Sequence, residues 1–156
     1  MLSRAVLIVT VCLSAASAQK YSGPRPENPD LPYLLHADNL VATEAGQAGE
    51  ESKKDEITYF VNGPASAVKT PLASPIFLLL AQNLNPEKLQ LYRLEVKNGR
   101  REITFKKKKS NVKPIFLTVT RVAENLYRLE ANQGLPNGEY SVTPEGSDQV
   151  FCFSIY

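Results

Sequence analysis

Histidine, tryptophan, cysteine and methionine are almost missing from this chain of 156 residues. It has one His, no Trp, two Cys and a single Met at position 1. A metal centre needs clustered His, Cys or carboxylate ligands, and here His36 and Cys152 lie at opposite ends of the sequence. A blue-copper site would need a second His and an axial Met, and is excluded. A Ser-His-Asp or Cys-His apparatus would have to run through His36, and no Gly-x-Ser-x-Gly elbow is present to expose a serine. No Gly-x-Gly-x-x-Gly or Gly-x-x-x-x-Gly-Lys loop offers a cradle for a nucleotide. Without Trp, a sugar-stacking surface lacks its usual platform. No charge of one sign dominates either: 18 Lys and Arg face 16 Asp and Glu, net +2. That balance is neither that of a polybasic nucleic-acid protein nor that of an acidic buffer.

What is present begins with a secretory pattern. Arg4 precedes an apolar run from Ala5 to Leu13, and Ala16-Ser17-Ala18 supplies the small-x-small site that a signal peptidase accepts. The run is shorter than the roughly 20 residues of a membrane-spanning helix. Residues 1–18 are therefore expected to be a signal peptide cleaved near Ala18, giving a soluble periplasmic or extracellular protein with no transmembrane span. Val9-Thr10-Val11 before Cys12 does not make a lipoprotein site, so Cys12 departs with the signal. Cys152 is then a lone free thiol inside Val150-Phe151-Cys152-Phe153, with no partner for an intramolecular disulfide, and reads as a small buried hydrophobe. Its other reading is an intermolecular disulfide.

Residues 19–32 carry Pro24, Pro26, Pro29 and Pro32 among polar side chains, which predicts an extended Pro-rich linker. Residues 33–156 show short apolar runs between turn residues, the pattern of an all-β domain. Residues 33–41 make a first strand, 43–56 a long polar loop, and Ile57, Tyr59 and Val61 an alternating strand. The stretch 76–81 is apolar on both faces and predicts a central, covered strand. Asn85-Pro86-Glu87-Lys88 reads as a turn. Asn98-Gly99 between the alternating runs Tyr92, Leu94, Val96 and Ile103, Phe105 is a strong hairpin signal, because both turn residues must take positive φ. Further strands carry Ile115, Leu117 and Val119; Tyr127 and Leu129; Tyr140 and Val142; and Phe151, Phe153 and Ile155. The spacing predicts an antiparallel β-sandwich of about seven to nine strands. Leu91-Tyr92-Arg93-Leu94-Glu95 recurs as Leu126-Tyr127-Arg128-Leu129-Glu130, read as two similar strands whose Arg and Glu face water.

Leu135-Pro136-Asn137-Gly138-Glu139-Tyr140-Ser141-Val142 resembles the corner leading into the penultimate strand of immunoglobulin- and fibronectin-III-like sandwiches. The resemblance implies an immunoglobulin-like fold in which Leu135, Pro136 and Gly138 shape a turn and the Tyr140 hydroxyl bonds back to its backbone. The core Trp and the paired cysteines of that family are missing. The closing stretch also resembles those of bacterial exported proteins of unknown function.

Charge is unevenly placed. From 97 to 113 the chain carries Lys97, Arg100, Arg101, Lys106, Lys107, Lys108, Lys109 and Lys113 against Glu102 alone, net +7. Residues 43–56 hold Glu44, Glu50, Glu51, Asp55 and Glu56 against Lys53 and Lys54. If these stretches lie apart, the molecule is electrically two-sided. A basic hairpin with its tip at Lys106 to Lys109 would attract a polyanion: an acidic glycan, a lipid headgroup or a nucleic acid. The plainer reading is a solvated loop whose lysines discourage edge pairing of strands. His36-Ala37-Asp38 would put His36 and Asp38 on one face of a strand, too little for catalysis. The resulting expectation is an exported, non-catalytic, cofactor-free binding or accessory module acting through an unknown protein or envelope-surface partner. Polyanion binding through residues 97–113 is its first alternative. An enzyme using carboxylate or Ser/Lys chemistry is its second, marked by a ligand-sized pocket with converging polar groups.

Overall fold

A computed structural model describes residues 20–156. The expected signal peptide at 1–18, with Cys12, lies outside the described residues. The chain runs through β1 (Tyr33–His36), β2 (Asn39–Ala42), β3 (Glu44–Gln47), β4 (Gly49–Ser52), β5 (Glu56–Asn62), β6 (Lys69–Thr70) and β7 (Ile76–Leu80). A single 3-10 turn, Pro86–Lys88, is capped by the Asn85 side chain. Then come β8 (Leu89–Lys97), β9 (Arg100–Lys106), β10 (Leu117–Ala123), β11 (Leu126–Ala131), β12 (Gly138–Pro144) and β13 (Gln149–Ile155). The fold is the expected all-β sandwich, antiparallel throughout except for the short β6–β13 pairing.

The strands outnumber the seven to nine expected, for local reasons. The stretch 33–41 is a hairpin rather than one strand: Ala37 takes φ 53° and the chain reverses there, pairing His36 with Asn39. No glycine marks this turn in the sequence. The polar stretch 43–56 is not a loop. Its residues 44–47 pair with β13 and 49–52 with β5, while most of their side chains face water and leave no apolar rhythm to read. At Gly49 a Cβ would run into the ring of Phe60, so this strand needs glycine for its close approach. Asn98 and Gly99 take φ of 52° and 71° and close the β8–β9 hairpin as the sequence predicts.

The smaller sheet has the order β10-β11-β7-β1-β2, with β7 central. The larger runs β3-β13-β12-β8-β9-β5-β4, with β6 attached to β13. Its two ends, β3 and β4, are consecutive in sequence and separated only by Ala48, whose N–H bonds the Asp148 carbonyl at 2.8 Å. The larger sheet therefore closes on itself as a small barrel. β8 is shared along its length: Leu89 to Leu94 pair with β12, and Glu95 to Lys97 pair with β9.

Strands β8, β12 and β13 consequently form a wall covered on both sides. One face meets the smaller sheet, where Leu34, Phe77, Leu79 and Leu129 pack on Leu91, Tyr140, Val142, Phe151, Phe153 and Ile155. Phe153 lies edge-on to Phe77 (centroids 5.2 Å apart) and stacks on Tyr140 (5.6 Å). The other face looks into the barrel, where Leu94, Val150 and Cys152 pack with Ala48, Val61 and Ile103. The Pro-rich segment is not a free spacer at its domain end. Asp30 bonds the backbone N–H groups of Gln82, Asn83 and Leu84 at 2.8–3.0 Å, and Pro26 and Pro32 are buried. Burial raises the Asp30 carboxyl, but these donors outweigh it and leave the group below the usual carboxylate range.

Candidate functional site

A cavity of about 580 Å³, partly open to solvent, lies against the inner face of the closed sheet. With β3 and β4 counted as one continuous run, the ring has six strands, narrower than the eight-stranded rings that accommodate a small ligand, and short inward side chains help to leave space. Ala48, Ser141 and Thr143 line it. Because successive strand residues face opposite ways, β12 sends Tyr140 and Val142 to the dry core and Ser141 and Thr143 to the cavity. The same alternation on β8 gives Gln90, Tyr92 and Leu94 to the cavity.

Three half-buried rings form one corner of the lining. Phe105 lies edge-on to Tyr59 (centroids 6.0 Å, planes at 71°) and to Tyr92 (5.7 Å, 88°). Tyr92 donates its hydroxyl to Gln90 Oε1 at 3.0 Å, and the Ser141 and Thr143 hydroxyls share a hydrogen bond of 3.0 Å. Burial, with Glu145 nearby, pushes the Tyr92 phenol above the usual tyrosine value. Val61, Leu94, Ile103 and Val150 supply the apolar surface, while exposed Glu50, Gly146, Ser147 and Asp148 form the rim.

Arg101 reaches this lining from β9 with 1% of its surface exposed. Its guanidinium grips Glu44 in bidentate fashion, Nη1 to Oε2 and Nη2 to Oε1 at 2.9 Å each. It also donates to the Asn62 carbonyl at 2.9 Å and the Gly63 carbonyl at 3.1 Å. These Arg101 hydrogen bonds, against the opposing pull of burial, hold the Glu44 carboxyl below its usual range. Nearby, buried Glu139 accepts the Ser66 N–H at 2.9 Å and the Ser154 hydroxyl. Cys152 is buried, as its sequence context predicts, and burial pushes its thiol up to about 11, with Arg101 partly offsetting. A thiol so held is a poor nucleophile at neutral pH.

The basic stretch does not gather into one patch. Arg101 faces inward onto Glu44, Arg100 pairs with Glu51 (2.7 Å) and Glu102 (2.8 Å), and Lys97 pairs with Glu95 (2.8 Å). Arg100 also lies 4.3 Å above the ring of Phe60. The two charged stretches are neighbours rather than opposite poles: Glu56 pairs in register with Lys106, and the Lys107 N–H bonds the Asp55 carbonyl at 2.9 Å. The electrically two-sided molecule is therefore corrected, because β5 between β4 and β9 brings acid to base. Lys106, Lys107, Lys108, Lys109 and Lys113 remain exposed. They occupy the end of β9 and the crossover to β10 in the other sheet, not a hairpin tip.

His36 bonds Thr70 Oγ1 at 2.8 Å through Nε2. The turn after β1 removes Asp38 from its strand face, correcting the shared face expected of these two residues. At the corner, Tyr140 donates to the Pro136 carbonyl at 2.6 Å, Leu135 is buried, and Gly138 approaches the Arg93 guanidinium. Among the described residues, no group of three or more His, Cys, Asp or Glu is placed to hold a metal ion, and no helix is long and apolar enough to cross a membrane.

In sequence Tyr59, Val61, Tyr92, Leu94, Ile103 and Phe105 read as ordinary apolar strand faces, and Gln90, Ser141 and Thr143 read as solvent-facing, so nothing announces a cavity between them. One signal was available: Leu91 and Leu94 stand an odd number of residues apart and must point to opposite faces, so β8 is covered on both sides. Comparison with protein-family models, curated proteins and solved structures finds no match to this chain.

Proposed function

We propose that this chain is an exported, non-catalytic binding module whose ligand site is the cavity inside the closed larger sheet. The observation that carries the reading is the cavity itself. Its volume of about 580 Å³ falls within the range of roughly 300–1,000 Å³ used by small-molecule sites. Its lining combines apolar and aromatic side chains with a few polar groups, the mixture that buries a ligand body and fixes its orientation. A non-catalytic role is favoured by what the lining lacks: it holds no Lys, its carboxylates Glu50 and Asp148 are exposed at the rim, and the Ser141 hydroxyl bonds the Val142 carbonyl and Thr143 rather than a base. The Cys152 thiol is pushed up to about 11, and His36 is bonded to Thr70 away from the cavity lining. Export rests on the signal pattern of residues 1–18, and kinship with immunoglobulin-like sandwiches on the bond from Tyr140 to Pro136.

Thermal unfolding of the purified chain against small apolar, cationic and anionic compounds, and against polyanions at two salt concentrations, tests this reading. A cavity ligand at 100 times its dissociation constant raises stability by about 2.7 kcal/mol. The expected result is a shift with a small molecule that survives salt. Shifts with polyanions alone, lost in salt, would move the site to the exposed lysines between 106 and 113. No shift with any compound would overturn the reading, and product formation from a bound compound would overturn its non-catalytic part.

A further inference from the structure

We infer that the cavity selects small organic cations, an amine or quaternary ammonium group carried on an apolar body. This deepens the binding reading above and rests on it. Electrostatics point first. The ionised side chains of the lining are Glu50, Asp148 and Arg101. The charge of Arg101 is already met by both oxygens of Glu44, and two of its N–H groups are taken by backbone carbonyls. Among the lining side chains the charge left without an ion-pair partner is therefore negative and sits at the rim, where it favours a cation over an anion.

Ring geometry points the same way. A cation is attracted to the face of an aromatic ring within about 6 Å of its centroid, and ammonium groups are recognised by cages of aromatic rings. Tyr59, Tyr92 and Phe105 all line the cavity, with Tyr59 and Tyr92 each edge-on to Phe105, and so bring three aromatic rings to one corner of it. The polar wall beside them offers hydroxyl and amide oxygens alongside the amide N–H groups of Gln90. Tyr92 spends its one hydroxyl proton on Gln90, and the Ser141–Thr143 pair shares one of its own. Oxygen lone pairs in this setting suit N–H donors or the polarised methyl groups of a quaternary ammonium. The apolar surface of Leu94 and Ile103 takes the body of the ligand.

The test uses three probes of similar shape: benzyltrimethylammonium, its uncharged carbon isostere neopentylbenzene, and phenylacetate. Their affinities are measured by titration calorimetry and by thermal shift on the full chain. The cation is expected to bind about tenfold or more tightly than the isostere, and phenylacetate to bind more weakly than either. In the Glu50→Gln/Asp148→Asn double variant the preference for the cation should fall by about threefold or more, with the unfolding temperature retained because both residues are exposed. Phe105→Leu should reduce affinity for the cation more than for the isostere. Equal or better binding of neopentylbenzene, or tightest binding of phenylacetate, overturns the cation inference and leaves the cavity reading standing. Absence of binding by all three overturns the inference, and the wider compound panel then decides whether the cavity reading survives it.

Discussion

Strands β8, β12 and β13 present two faces built from the same backbone, and the faces differ in kind. Toward the smaller sheet they offer Leu91, Tyr140, Val142, Phe151, Phe153 and Ile155, which interlock with Phe77 and Leu129. Toward the barrel they offer Tyr92, Leu94, Ser141, Thr143, Val150 and Cys152, with a cavity above them. The first face fills space with large side chains, and close packing of that sort carries most of a domain's stability. The second leaves space where the short side chains of Ser141 and Thr143 stand. A wall held firmly from one side can keep a hollow on the other, because its strand positions do not depend on the hollow being filled.

Substitutions that strike each face in turn sharpen this contrast. Phe153→Ala should be the most costly, about 3–5 kcal/mol in denaturant unfolding. It removes a fully buried ring held between Phe77 and Tyr140. A loss below about 1 kcal/mol would mean that this face does not hold the wall.

Arg101→Met should cost about 2–3 kcal/mol, less than a fully buried ion pair because Glu44 is one-third exposed. It strands the Glu44 carboxylate and the carbonyls of Asn62 and Gly63. This pair also has a pH signature. The Glu44 carboxyl is held low in the folded chain, so its contribution is present above the unfolded value of about 4.3 and is lost as pH falls through the lower folded value. The acid limb of the stability curve should therefore be shallower in Arg101→Met than in the natural chain.

Tyr140→Phe should cost about 1 kcal/mol, the net worth of one hydrogen bond, here to Pro136 at 2.6 Å. Thr143→Val should be the mildest, within about 0.5 kcal/mol, since its half-buried hydroxyl faces the open cavity and bonds only Ser141 there. A large loss at Thr143 would mean that the cavity face is structural after all.

Much of the dry face is legible in sequence. Phe151, Phe153 and Ile155 alternate, the stretch 76–81 is apolar on both faces, and Asn98-Gly99 announces its turn. The barrel is not legible in the same way. β3 and β4 carry Glu44, Gln47, Glu50 and Glu51, whose polarity reads as loop although their backbones complete the ring. Arg101 shows why runs of like charge mislead. In sequence it belongs to a basic cluster, but strand alternation sends it inward to Glu44 while its neighbour Arg100 points outward to Glu51. Pairing between residues 49 and 57 positions apart decides which charges meet, and no local pattern encodes it.

The most direct measurement is an amide-resolved NMR titration of the chain with benzyltrimethylammonium. Saturable shifts confined to the cavity lining, led by Tyr59, Tyr92, Phe105 and Ser141, are the predicted result. Shifts centred on the exposed lysines between 106 and 113, or no saturable shifts at the lining, would contradict the claim that the closed sheet encloses a binding site for a small cation.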